Sequence, residues 1–148
     1  MMKWILVALL VFSAAVGAGV YFISGSGQGA GIEVDWRLLA QYDYMTHNAT
    51  SELKALEGKI VKIPGFMVPL EDEQRKVTEF LLVPTPQACI HVPPPPPNQM
   101  VYVKMKKGVD AKVGAPIWVY GEFKIAVKHS QYGEVSYEIS GDNVEDYK

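Results

Sequence analysis

The sequence predicts a mainly β protein: a small five-stranded OB-like barrel with short N-terminal helices, preceded by one transmembrane helix. Three observations carry this. From residue 59 onward, apolar residues recur at every second position in five separate runs, the mark of half-buried strands. Glycine interrupts the first and fourth runs at Gly65 and Gly121, and such kinks let long strands curve enough to close a small sheet. Residues 4–23 carry no charge. A β-sandwich is the alternative arrangement of the same strands.

The charge-free run is broken only by Ser13, Gly17 and Gly19, and Lys3 is the sole cation before it. About twenty apolar residues in a helix span a bilayer core. A cation on the short leading side favours an N-in orientation. The expectation is an anchor in the inner membrane with the domain in the periplasm. The alternative is a secretory signal cleaved after Val16-Gly17-Ala18, releasing the domain into the periplasm. Against cleavage, the apolar run continues through Val20, Tyr21, Phe22 and Ile23. No cysteine lies near the end of the run, so it is not a lipoprotein signal. The division is therefore 1–23 anchor or signal, 24–31 a Gly/Ser linker reading SGSGQGAG, and 32–148 the folded domain.

The formal net charge is −2, and losing the first 31 residues removes one cation, Lys3, and no acid. A nucleic-acid surface needs a clear basic excess, so nucleic acid is not an expected partner. The single cysteine cannot form an internal disulfide. In an oxidising compartment a lone thiol is a ligand, a reactive group or a packed bystander.

The elements follow from local chemistry. Asp35 is placed to cap a short helix in which Trp36, Leu39 and Ala40 share a face. Residues 46–50 read as loop, and Ser51 as the cap of a second short helix that runs to Leu56 and stops at Gly58. Strands are expected at 60–70, with a bend or bulge at Pro64-Gly65, and at 77–83, 100–105, 116–127 and 135–140. Charged or polar turns lie at 71–76, 108–114 and 130–134. The aromatics Trp36, Tyr42, Tyr44, Trp118, Tyr120 and Phe123 recur at helical or alternating spacing, which reads as core packing.

Chemistry concentrates at Cys89-Ile90-His91, which runs through Val92 into Pro93, Pro94, Pro95, Pro96 and Pro97, then Asn98 and Gln99. In extended backbone, residues two apart face one side, and Val92 is held extended by the following proline. Thiolate and imidazole placed together suit Zn²⁺ or Cu(I). Two ligands make half a tetrahedral site. His129 is the candidate third, with His47, Glu71, Glu79, Met67 and Met100 as further donors. The plain alternatives are an inert packed cysteine and a histidine bonded to a strand carbonyl. A thiol nucleophile would need a base and an orienting group, for which Asn98 or Asp110 is available. No second cysteine is present to resolve a mixed disulfide. Five prolines form a rod of about 15 Å in polyproline geometry. The rod reads as a strap fixing Cys89 and His91, or as a recognition ridge. Asn98 and Gln99 would support the ligands or meet a partner.

Several blocks also carry a resemblance: Leu56-Glu57-Gly58-Lys59-Ile60-Val61-Lys62-Ile63-Pro64-Gly65-Phe66, Pro69-Leu70-Glu71, Glu79-Phe80-Leu81-Leu82-Val83-Pro84, and Ala88-Cys89-Ile90-His91 with its prolines and Asn98-Gln99. Over about residues 35–140 the chain resembles the bacterial DUF3299 family of unknown function. The resemblance implies a small exported or lipid-anchored protein, and some relatives are associated with metal-regulated transport systems of the ABC exporter type. Here the apolar run stands in place of a lipoprotein cysteine. The resulting expectation is a membrane-anchored periplasmic metal-binding or accessory protein, not an enzyme, serving envelope metal homeostasis or an ABC-type membrane transporter. Its alternatives are a metal-free module that docks a transporter through the proline ridge, and a thiol-dependent enzyme.

Overall fold

A computed structural model of the chain describes residues 31–72, 75–86 and 93–148. The apolar run at 4–23 lies outside the described residues. Among the described residues no helix is long and apolar enough to cross a membrane.

Chain order is β1 (Ile32–Glu33), α1 (Trp36–Leu39), α2 (Ser51–Leu56), β2 (Ile60–Pro69), β3 (Val77–Val83), a 3-10 turn (Pro97–Gln99), β4 (Val101–Val109), β5 (Pro116–Ser130) and β6 (Gly133–Asp146). Asp35 caps α1 as expected, its Oδ1 accepting from Leu38 N at 2.8 Å. The cap of α2 is Thr50 rather than Ser51. Thr50 is extended (φ −64°, ψ 161°) and its hydroxyl accepts from Leu53 N, whereas Ser51 is already helical. Gly58, at φ 75°, takes the chain out of α2, and its N–H donates to Phe123 O at 2.8 Å.

All six strands belong to one mixed sheet, ordered β1-β2-β3-β4-β6-β5, and β2 also pairs with β5. The sheet thus curls into a partial ring rather than forming the two facing sheets of a sandwich. The β4–β6 pair is parallel and β1 lies parallel on β2, while the other ladders are antiparallel.

The turning point is β2. Its residues 60–66 pair with β5 and its residues 66–69 with β3. The strand continues past Pro64-Gly65 as expected, and its pairing with β5 runs in regular register from Ile60 to Phe66, so no bulge forms there. A strand residue aims its N–H and C=O at the same edge. The Pro64 carbonyl accepts from Trp36 Nε1 at 2.6 Å, so the missing Pro64 N–H faces that side and costs the β5 ladder nothing. Gly65 is buried where the partners change, and a Cβ there would stand 2.7 Å from Val83 O.

The last two strands run longer than their apolar pattern. β5 reaches Ser130 and β6 spans Gly133–Asp146, although Gly141-Asp142-Asn143 reads as a turn. The register explains it: a shift at Tyr120/Gly121 brings Gly121 opposite Gly141 and Tyr120 opposite Asn143. Two glycines facing each other let the strands approach and bend together. A Cβ on Gly121 would collide with Ser140 O and Ile139 Cγ2.

The inner face of the ring buries Val61, Ile63, Phe80, Val103, Val119 and Ile139, together with Leu39 of α1 and Leu53 of α2. Tyr137 lies among them, its ring centroid 5.3 Å from Phe123 and 5.7 Å from Tyr42. β3 is buried on both faces: Phe80 and Leu82 point inward, whereas Leu81 and Val83 join Met100 and Val135 in a second apolar cluster. Trp118 and Tyr120 depart from the core assignment. They alternate with buried Ile117 and Val119 and so face outward, where Trp118 packs against Tyr147 and beneath the Lys62 ammonium.

Because overpacking a closed site costs about 1–3 kcal/mol, Gly121→Ala should lower the urea unfolding free energy by about that amount. An unchanged midpoint would mean that the β5–β6 bend does not depend on the missing side chain.

Candidate functional site

Leu82 pairs with Val101, so the connection 84–100 leaves and re-enters the sheet at one end. Connections of this length are uncommon in compact domains and are often functional. Cys89 and His91 lie outside the described residues. The part that follows them is defined: Pro93, Pro94 and Pro96 are exposed, while Pro95 and Pro97 are half-buried. Pro96 has polyproline angles (φ −62°, ψ 157°), but Pro97 opens the 3-10 turn, and Gln99 N donates to Pro96 O at 2.8 Å. The rod therefore ends at Pro96, one residue short of the run.

Asn98 and Gln99 serve the fold. Asn98 is buried, and its Nδ2 donates to Ala40 O at 3.1 Å and Tyr42 O at 3.0 Å. Gln99 Nε2 donates to Trp36 O at 3.2 Å and to Asn98 O at 3.0 Å. Asn98 thereby supplies donors to two carbonyls just past the end of α1, while Gln99 adds a second donor to the Trp36 carbonyl, which Ala40 N already serves.

His129 is exposed on β5, opposite Glu134 and one residue from the hairpin tip. The parallel β4–β6 register, with Val101 beside Tyr137, sets this hairpin at the end of the sheet where 84–100 connects. The Pro97–Gln99 turn packs along β6 there. His47 sits exposed in the 43–48 turn, which follows directly on Tyr42 and so on the carbonyl that Asn98 holds.

The other expected donors are elsewhere. Met67 and Met100 are buried in the two apolar clusters. Glu71 lies beyond β2 at the opposite end, accepting from Thr78 N at 3.0 Å and from the Thr78 hydroxyl. Those two bonds hold its carboxyl below the usual range. Among the described residues no group of three or more His, Cys, Asp or Glu is placed to hold a metal ion.

Two features were not anticipated from the sequence. On the outer surface of β3, β4 and β6, Tyr102 donates its hydroxyl to Glu79 Oε2 at 2.6 Å, and Lys104 pairs with Glu79 at 3.3 Å. Lys128 lies 5.0 Å over the Tyr102 ring and pairs with Glu138 at 2.7 Å. Burial, then the bond to Glu79, pushes the Tyr102 phenol up to about 12. Nearby, Ser136 is fully buried and its hydroxyl has no partner among the described residues. An open cleft of about 540 Å³ on the outward side of β5 and β6 is lined by Trp118, Tyr120, Lys112, Glu145, Asp146 and Lys148, with Lys112 already paired to Asp146.

A curled mixed sheet closed by a helical segment, with an irregular proline connection at one end, defines the class of this domain. The family described as "Protein of unknown function (DUF3299)" matches residues 37–146, and the chain belongs to it. The crystal structure of a DUF3299 family protein from Pseudomonas aeruginosa PAO1, at 2.45 Å resolution, is similar, with a TM-score of 0.66 at 36% identity over 81% of this chain and 98% of that one. No curated protein matches.

Asn98→Ala should destabilise the domain by about 1–3 kcal/mol, the usual cost of stranding buried carbonyls, read by chemical denaturation. A neutral result would remove Asn98 from the framework. In a spectrophotometric titration, one phenol should ionise near pH 12 and vanish in Tyr102→Phe, and Glu79→Gln should move it toward the ordinary value of about 10. The folded-state pKa is raised, so this contribution to stability is complete below pH about 10 and is lost as pH climbs toward 12.

Proposed function

We propose that this chain is a membrane-tethered periplasmic accessory protein that carries Zn²⁺ or Cu(I) on Cys89 and His91, displayed at one end of an OB-like barrel. It serves an envelope metal-homeostasis or ABC-type transport system. The observation that carries the reading is the anchoring of the 84–100 connection, with Leu82 paired to Val101 on one side and Asn98 and Gln99 bonded to α1 carbonyls on the other. A connection whose two ends are held together has already paid its closure entropy, which a free tail would still have to lose on binding. His129 is the third ligand, because its hairpin shares that end of the sheet. The barrel reading is supported by the β2–β5 pairing, the parallel β4–β6 pair and the glycine bend at Gly121.

A second reading has its own support. Pro93, Pro94 and Pro96 are exposed, as a ridge that docks a membrane transporter without metal would require.

Elemental analysis of the purified protein decides between them. Metal binding predicts about one zinc or copper per chain, loss of that metal in Cys89→Ser and His91→Ala, and a rise in Tm when metal is returned, since an ion bound to the native state stabilises it. Protein that is metal-free and whose Tm ignores added Zn²⁺ and Cu(I) would overturn the reading in favour of the docking module.

A further inference from the structure

Three strands, β2, β5 and β6, lie side by side on one outer surface of the ring, and β5 is paired on both edges from Ile117 to Glu122. The solvated face of such a sheet is ordinarily polar, yet β5 places Trp118 and Tyr120 there at successive outward positions. Both rings are held. Tyr147 packs on Trp118 with centroids 5.0 Å apart, and the Lys62 ammonium stands 4.7 Å from the Trp118 ring centre. Tyr147 is itself fixed, its N–H donating to Pro116 O at 3.0 Å. The Tyr120 hydroxyl donates to Glu145 Oε2 at 3.0 Å, and Asn143 Nδ2 donates to Glu145 Oε1 at 3.1 Å. Trp118, Tyr120 and Glu145 then line one open cleft of about 540 Å³, together with Lys112, Asp146 and Lys148.

The lining selects by exclusion. Its two ammonium groups stand against two carboxylates, and Lys112 is paired to Asp146, so no net charge draws in a phosphate or a nucleotide. A wholly apolar ligand would strand those charges away from water. A peptide bound as an added strand needs a free sheet edge, and both edges of β5 are occupied here. What fits is a neutral molecule with an apolar face for the rings and a polar rim for carboxylate and ammonium. A pyranose sugar has that form, because its ring C–H groups make a flat apolar face and its hydroxyls lie around the edge. Indole and phenol, each an apolar body with a polar tip, match both parts.

We infer that this cleft binds an uncharged pyranose glycan, which packs against Trp118 and Tyr120 and hydrogen-bonds to Glu145, Asp146 and Lys112. The site uses none of Cys89, His91 and His129. It goes beyond the function proposed above and stands whether or not the protein carries metal.

The test is fluorine NMR of the full chain, labelled with fluorotryptophan and held in phospholipid nanodiscs, which carry no sugar headgroup. Of the three tryptophans, Trp118 is assigned by the signal missing from Trp118→Phe. Chitotriose, cellotriose and maltotriose are titrated in turn to millimolar concentration, and at least one should shift the Trp118 signal saturably. Trp118→Ala and Glu145→Ala should each weaken that binding at least tenfold by calorimetry. Glu145 is exposed, so its truncation leaves the fold intact and keeps the test decisive if Trp118→Ala fails to fold. High salt should leave the affinity unchanged, because the ligand is neutral, and Cys89→Ser/His91→Ala should bind like the native chain. No saturable shift with any of the three sugars, an equal response to glycerol, loss of binding at high salt, or unchanged affinity in Glu145→Ala would each overturn the inference.

Discussion

The segment from Trp36 to Tyr42 closes the ring, and the fold is organised around the side chains that hold it there. Backbone N–H groups of Ala40, Gln41 and Tyr42 already serve the carbonyls of Trp36, Leu38 and Leu39, and donors from two distant parts of the chain bond the segment as well. Gln99 and Asn98 donate to Trp36, Ala40 and Tyr42, and the Tyr137 hydroxyl donates to Leu39 O at 2.5 Å. The Tyr137 bond is buried, and burial pushes its phenol well above the ordinary range, so the donor stays protonated. These contacts fasten the N-terminal segment, the proline connection and β6 to one another. Asn98 in particular sits where apolar packing would otherwise be expected, because without it the segment closing the ring would bury the Tyr42 carbonyl oxygen unpaired.

Much of this fold was legible in the sequence, and the boundary of legibility has a physical cause. The period-two pattern located all five long strands because the ring has one apolar interior and alternation records it directly. Asp35 was readable as a cap because capping is settled within three residues. The second half of β6 was not, since Gly141-Asp142-Asn143 carries turn chemistry and pairs only because Gly121 lies opposite. Pro64 read as part of a bend or bulge, yet the β5 pairing runs regularly past it because its absent donor points to the edge that Trp36 occupies. Such outcomes depend on a partner strand or helix, not on neighbours in the chain.

The same distinction applies to the candidate site. Cys89 and His91 were conspicuous by residue type and spacing, but Asn98 and Gln99 looked free to assist a ligand or partner. Their actual bonds reach residues 56 to 63 positions upstream, a distance at which sequence pattern carries no information. Function in this domain is therefore argued most securely from where the connections are tied, and least securely from composition.

The register of β2 also bears on how the domain reaches this structure. The hairpins β2–β3 and β5–β6 join neighbours in sequence and can form early, but Ile60 must find Glu122 and Val101 must find Tyr137 before the sheet can curl. Loop closure makes such distant pairings slow relative to local ones. Until β5 arrives, the half of β2 before Gly65 presents a bare hydrogen-bonding edge that another chain could occupy. The donor that Pro64 lacks lies on the opposite edge, the one Trp36 covers, so the proline does nothing to guard the open side. Protection of the half-assembled ring falls to the β5–β6 hairpin itself, which must dock on β2 before another chain does.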